Sequence, residues 1–252
     1  MSRATARLLS DTTVEIAAVA VKDPTRHRAG LPATTQLLST PEQLLGSDVD
    51  LVVEAASREA VAQWARPSLG MGVDFIVSSV AALADEATLS GLREVARNNG
   101  ARLCISTGAL AGIDALSAAR SMGVDEVEHR IIKPPLAWTG TPAEDLCDLG
   151  SVAEPEVFFT GSADEAATQY PKNANSAMTT ALAGIGPTQT RVTLIADPEA
   201  TGNRHELRAA GPFGSLEIGI TNRPLEENPK TSAMAALSLA RAIRNRVDAV
   251  VI

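Results

Sequence analysis

The first hundred residues alternate short apolar runs with helix-length stretches, and no other feature restricts the fold so strongly. Residues 14–21 (VEIAAVAV), 50–56 (DLVVEAA), 74–80 (DFIVSSV) and 102–106 (RLCIS) have strand length and end in polar or glycine-containing turns. Thr40-Pro41-Glu42 reads as an N-cap followed by proline at the first helical position. Ser57 caps a helix running to about Met71, and Asp85 caps another over 86–98 that stops at Asn99-Gly100. Alternation at this spacing predicts right-handed βαβ crossovers in an open, doubly wound parallel sheet. Aromatic residues make up only 3% of the chain. The core must therefore be built from Ala, Val, Leu and Ile, which suits helices packed on a parallel sheet.

Beyond residue 107 the rhythm changes. STGALAGIDALSAAR gives a small-residue turn and then a helix. Residues 125–132, 155–160, 190–195, 204–210 and 214–221 read as strands, several alternating polar with apolar positions as a half-wetted sheet requires. Helices are predicted at about 162–168, 173–184 and 230–245. The expected organisation is a Rossmann-like α/β domain over 1–106, an α+β catalytic and dimerisation domain with a mixed sheet over 107–240, and a C-terminal segment, 241–252, returning to the first domain.

A dinucleotide-binding sheet normally opens with a strand, GxGxxG and a helix, the glycines letting backbone approach the diphosphate. No GxGxxG occurs here; the first glycine is Gly30, and the run 14–21 resembles the second strand of such a sheet. Residues 2–9 read as the tail of the helix that would follow the loop. The first strand and its glycine-rich loop are thus expected to be missing, through a reading frame that starts late, unless another segment fills the gap. In the order 3-2-1-4-5-6 that strand is central, so its loss predicts two long unpaired edges.

Net charge −8 argues against nucleic acid, whose phosphates demand a basic face. No run approaches the ~20 apolar residues of a membrane helix, and the N-terminus lacks a signal-peptide core. Cys104 and Cys147 stand outside any CxxC or Cys/His cluster, so neither a metal site nor a disulfide is expected and a cytoplasmic location is.

Three histidines are candidates for proton transfer near neutral pH. His27 lies in the charged loop Thr25-Arg26-His27-Arg28, where a solvated role is favoured. His129 alternates with Val127 and Ile131 on one strand face, which favours a structural role. His205 follows the polar turn Gly202-Asn203-Arg204 at the start of a strand. Tyr170-Pro171-Lys172-Asn173-Ala174-Asn175 puts a lysine and two amides before a small-residue helix, a setting suited to a carboxylate or a carboxamide; an ordinary start capped by Asn173 explains it equally well. Trp138-Thr139-Gly140 precedes Thr141-Pro142-Ala143-Glu144, a helix start with a capping-box pattern. Asn228-Pro229-Lys230-Thr231-Ser232 reads as a third helix start able to bind an anion.

KPPLAWTGTPAEDL, YPKNANSAMTTALAGIG, LIADPEATGNRHELRAAGPFG and ENPKTSAMAALSLARAIRN together resemble the L-aspartate dehydrogenase family, as do ISTGALAGIDALSAA and FIVSSVAALAD. The resemblance covers residues 14–252. It implies that His205 is the catalytic histidine and that Ala109 and Asn175 contact the nicotinamide cofactor. Lys172 and Asn173 become candidates for the substrate carboxylates, with Thr139 and Lys230 behind them. Ala81 stands where the family often has glycine.

The implied reaction is NAD(P)-dependent oxidative deamination of L-aspartate, through iminosuccinate, to oxaloacetate and ammonia, without a metal. The resemblance links it to NAD biosynthesis, and an exposed sheet in the second unit could pair symmetrically into a homodimer. Asp23, at the end of the first apolar run, could accept from the ribose hydroxyls and favour NAD, whereas Lys22, Arg26 and Arg28 could neutralise the 2′-phosphate of NADP. Two alternatives stay open: a related oxidoreductase of the dihydrodipicolinate-reductase type, and a truncated, non-catalytic oligomer that binds a metabolite.

Overall fold

The fold is described from a computed structural model over residues 1–26, 30–32, 34–171, 173–226 and 228–251, without the side chains of residues 229 and 230. Contacts divide the chain into two units: Ser106–Leu239, together with Met1, and Ser2–Ile105 with Ala240–Ile252.

The α/β unit starts with helix α1 (Ser2–Leu8) and strands β1 (Ala18–Ala20), β2 (Gln36–Leu38) and β3 (Leu51–Val53). Helix α2 (Arg58–Gly70), β4 (Asp74–Val77), α3 (Glu86–Asn98) and β5 (Leu103–Ile105) follow. Both long helices start where the sequence places them. Ser57 accepts from the Ala60 amide, and Asp85 accepts from the Thr88 amide at 2.7 Å. Leu89, Leu92 and Ala96 form the buried stripe of α3.

The sheet is not continuous. β1 pairs in parallel with β2, and β3, β4 and β5 form a separate parallel sheet in that order. Aligned with the order 3-2-1-4-5-6, β2 and β1 take places 3 and 2, and β3, β4 and β5 take places 4, 5 and 6. The break falls at place 1, which no strand of the described residues occupies. The facing edges are shorter than expected, three residues each.

Side chains tie the strand ends together instead. Glu54, buried just past β3, accepts from the amides of Ala56, Ser78 and Ser79 and from the Ser79 hydroxyl, at 2.7–3.1 Å. Asp74, at the start of β4, accepts from the Arg102 amide and its Nε, and pairs with Arg246 of the C-terminal segment.

Several element boundaries differ from expectation. The run 14–21 is a strand only over Ala18–Ala20, because its one described partner, β2, is itself three residues long. Thr40-Pro41-Glu42 begins a single 3-10 turn, Pro41–Leu44, rather than an α-helix; Gly46 then turns the chain at φ +82°. The run 74–80 leaves the ladder at Val77 because the next two amides bond to Glu54. Residues 228–232 are a strand, not a helix start.

The mixed-sheet unit contains α4 (Ile113–Ala119), β6 (Glu126–Lys133), β7 (Glu156–Ser162), α5 (Ala163–Gln169), α6 (Ala174–Ala183), β8 (Arg191–Ala196), β9 (Asn203–Gly211) and β10 (Gly214–Asn222). A small pair, β11 (Pro224–Leu225) and β12 (Asn228–Ser232), precedes α7 (Ala233–Arg244), inside which the unit boundary falls. The main sheet has the order β10-β9-β6-β8-β7, with β6 and β8 parallel and the other pairs antiparallel, so it is mixed.

Alternation sorts its faces. Val127, His129 and Ile131 on β6, Val192 and Leu194 on β8, and His205, Leu207 and Ala209 on β9 are buried on one side. Arg130, Glu206 and Arg204 form ion pairs on the other. Helix α6 covers the first side with Ala174, Ala177, Met178, Thr180 and Ala181, small enough to let its axis approach the strands. Gly112 caps α4 at φ +69°, a backbone conformation that favours glycine, and a Cβ there would lie 1.8 Å from Ile218 Cδ1, so that side chain would have to move as well.

Candidate active site

The register of β6 and β9 sets Ile131 opposite His205. Side chains two residues either way on the same face of β6, His129 and Lys133, therefore flank His205 diagonally. His129 Nε2 lies 3.1 Å from His205 Nδ1, and His129 Nδ1 lies 3.0 Å from Thr180 Oγ1 on α6. All three side chains are buried. His205 Nε2 is left as the ring nitrogen not engaged by this chain of bonds. Burial drives the His129 imidazole down to about 3 and places His205 well below its ordinary value, with the neighbouring His129 and Lys133 adding to the effect. Both rings are neutral at physiological pH.

Lys133, at the end of β6, donates to Asn173 Oδ1 and stands 4.6 Å from the centroid of the Trp138 ring. Desolvation lowers its ammonium to about 8. Trp138, fully buried, is fixed by its indole N–H donating to the Ile195 carbonyl at 3.0 Å. A neutral imidazole, a soft ammonium and an amide on one sheet face can move protons and hold a carboxylate.

Asn173 occupies the N-cap position of α6, but its side chain makes no capping bond and turns to Lys133 instead, so the ordinary-cap explanation fails. Lys172 lies outside the described residues, and so does the Lys230 side chain. The backbone of residue 230 belongs to β12, which removes the helix-start argument for an anion there. Thr139 is exposed, next to Trp138. Thr141 accepts from the Ala143 amide and donates to the Trp138 carbonyl, holding a 3-10 turn rather than a capping box.

Ala109 lies in a turn bounded by Gly108 and Gly112, both at positive φ. Its carbonyl accepts from Asn222 Nδ2 at 3.0 Å, and Asn222 Oδ1 accepts in turn from Ser232. Asn175 sits exposed in the first turn of α6, where its carbonyl accepts from the Thr179 hydroxyl. Asp23 belongs to the α/β unit and accepts from the Thr25 amide and hydroxyl, so its carboxylate shapes an exposed turn beyond β1. Lys22 and Arg26 are exposed; His27 and Arg28 lie outside the described residues. Ala81 is buried within the 3-10 turn Val80–Leu83.

One feature of the α/β unit fits a dinucleotide. Ser78 Oγ, just past the carboxyl end of β4, is buried without a partner among the described residues. A hydroxyl there suits a ribose or carboxamide group at the strand ends where open α/β sheets bind ligands. The described residues include no glycine-rich cradle for the diphosphate. No cluster of three or more His, Cys, Asp or Glu able to hold a metal occurs among them either.

Lys133 and Thr180 were not anticipated. The alternation Val127, His129, Ile131 pointed to Lys133 as the next residue on the buried face, but the strand was expected to end at 132. Thr180 lies mid-helix, and nothing local distinguishes it from Thr179.

Comparison with known proteins shows the family. Residues 114–246 match the family described as "Aspartate dehydrogenase, C-terminal", and residues 2–106 match "Homoserine dehydrogenase, NAD binding domain". An L-aspartate dehydrogenase from Brucella anthropi is 50% identical over 95% of this chain and 89% of its own length. One from Pseudomonas aeruginosa is 41% identical over 96% and 86%. The crystal structure of aspartate dehydrogenase from Thermotoga maritima superposes with a TM-score of 0.78 at 28% identity, over 100% of this chain and 96% of that one. The chain belongs to the aspartate dehydrogenase family and is an NAD(P)-dependent oxidoreductase.

Proposed function

We propose that this chain oxidises L-aspartate with NAD or NADP to iminosuccinate, which water converts to oxaloacetate and ammonia, and that His205 handles the protons. The observation that carries the reading is the placing of His205 and Lys133 on the α6-covered face of the sheet, with Asn173 at the start of α6 bonded to Lys133. Bound nicotinamide supplies the hydride acceptor. The neutral His205 takes a proton at Nε2 from the water that adds to the imine carbon and returns it to the departing amine.

Lys133 and Asn173 suit one carboxylate, because a desolvated ammonium paired with an amide gains a stronger charge when an anion arrives. Thr139, Lys172 and Lys230 remain candidates for the second. Ala109 and Asn175 would hold the nicotinamide end, and Asp23 the adenosine ribose. The same reading makes the enzyme a cytoplasmic homodimer whose iminosuccinate feeds nicotinamide nucleotide synthesis; the two isolated thiols support the location, the exposed sheet the dimer, and the family resemblance the pathway.

The test is reduction of NAD⁺ and of NADP⁺ by the purified chain with aspartate and a panel of other amino acids. Aspartate should exceed alanine in kcat/KM by about 100-fold or more, since a site built for a second carboxylate leaves charged groups unpaired without it, and should also exceed glutamate, whose extra methylene displaces that carboxylate. Calorimetric cofactor binding without aspartate turnover would refute the substrate, and turnover of a different substrate would favour the dihydrodipicolinate-reductase-like alternative.

A further inference from the structure

The bond network behind His205 serves no packing need. A buried imidazole on a strand among Val127, Ile131 and Val192 could be a leucine at less desolvation cost, yet His129 offers both ring nitrogens to polar partners. Thr180 is also fully buried, and its hydroxyl bonds to His129. A continuous line Thr180–His129–His205 therefore runs from α6 through β6 to β9. It ends on the ring nitrogen opposite the one that must do chemistry.

Such a line has a direction. If Thr180 donates to His129 Nδ1, then His129 donates from Nε2, His205 keeps its proton on Nε2, and no lone pair remains to accept one. If His205 donates from Nδ1 to His129 Nε2, then His129 donates from Nδ1 to the Thr180 oxygen, and His205 Nε2 is an open base. Only the second direction survives conversion of His205 to the imidazolium, because its Nδ1–H already points at an acceptor. In the first, the added proton would sit on Nδ1 and face the Nε2–H of His129 at 3.1 Å.

We propose that His129 and Thr180 are positioning residues that hold the His205 proton on Nδ1 and so keep Nε2 free as the proton acceptor. The role parallels that of the orienting carboxylate in a hydrolase triad, with a neutral imidazole in its place. A neutral orienter keeps the buried site free of a second charge while Lys133 stands nearby. The inference rests on the reading of His205 as the proton-handling residue. The other groups facing the pair are Lys133 on β6, Ile220 on β10, Val192 on β8 and Asn173 on α6; Arg130, Arg204 and Glu206 face the opposite side of the sheet.

Nitrogen-15 NMR of the histidine-labelled full-length chain near neutral pH tests it without cofactor or turnover. The expected spectrum has His129 and His205 both protonated on Nδ1 and bare on Nε2, assigned with His129→Gln and His205→Ala. A proton on Nε2 of His129 would overturn the proposal. Thr180→Val should mix the tautomers of His129 and lower kcat about tenfold with KM for aspartate within about twofold, and Thr180→Ser should restore both. Unchanged tautomers and turnover in Thr180→Val would also overturn it. The two readings fail separately: full activity in His205→Ala removes the catalytic reading, whereas a dead His205→Ala beside a wild-type-like Thr180→Val removes only the positioning role.

Discussion

The two units are built on different principles. In the mixed-sheet unit, strands of six to nine residues pair into one five-stranded sheet. His205 and Lys133 project from strands whose cross-strand register fixes them, with Asn173 at the start of the helix that covers them. In the α/β unit, strands of three or four residues form two separate sheets, and buried carboxylates tie their ends together. The first should therefore depend on backbone geometry and packing, and the second on a few polar clamps. Precise placement of His205, Lys133 and Asn173 belongs to the stiffer of the two.

The largest effect is expected from Gly112→Ala in the mixed-sheet unit. A methyl group 1.8 Å from Ile218 on a left-handed backbone should destabilise that unit by about 3 kcal/mol or more, read as an early step in denaturant unfolding followed by the α/β unit's own signals. Unfolding unchanged from wild type would mean that the mixed sheet tolerates strain the comparison forbids.

Glu54→Gln should act next, and on the other unit. It sets an NH₂ group against amides that donate to the carboxylate, a loss of about 1–3 kcal/mol, with faster amide exchange in β3 and β4 but not in β6 or β9. Equal exchange changes in both units would erase the distinction.

Acid should separate the units by a smaller margin. The unfolded chain protonates His129 near its ordinary 6.5, whereas the folded chain holds it neutral down to about 3. The unfolded state thus binds more protons between those values, so stability falls as pH drops through this window and is fully retained above it. The α/β unit has no buried histidine among the described residues. The mixed-sheet unit should accordingly lose Tm first as pH falls from 6.5, by several degrees, and His129→Gln should flatten that slope. Both units weakening in parallel would show that carboxylates dominate instead.

Legibility in the sequence followed the same divide in reverse. The α/β unit announced itself through local signals: the Ser57 and Asp85 caps, the apolar runs, and a gap whose place in the sheet followed from strand order. Its strand lengths did not, because a ladder is only as long as its partner, and the Gln36–Leu38 strand carries no alternation to mark it. In the mixed-sheet unit, His205 stood out through resemblance, but its partners came from the register of β6 against β9 and from the turn of α6 that faces His129. Cross-strand register and helix rotation are long-range outcomes of packing, which no local window contains. Lys133 lay one residue past the expected strand end, and Asn173, read equally as a cap and as a ligand, proved to aim its side chain at that lysine.

The most direct test of the central claim is turnover of His205→Ala with L-aspartate and NAD⁺, with calorimetric cofactor binding measured on the same preparation. If His205 handles the protons, kcat should fall by roughly 10²–10⁴ while cofactor binding stays at the wild-type level. Near-wild-type turnover in that variant would contradict it.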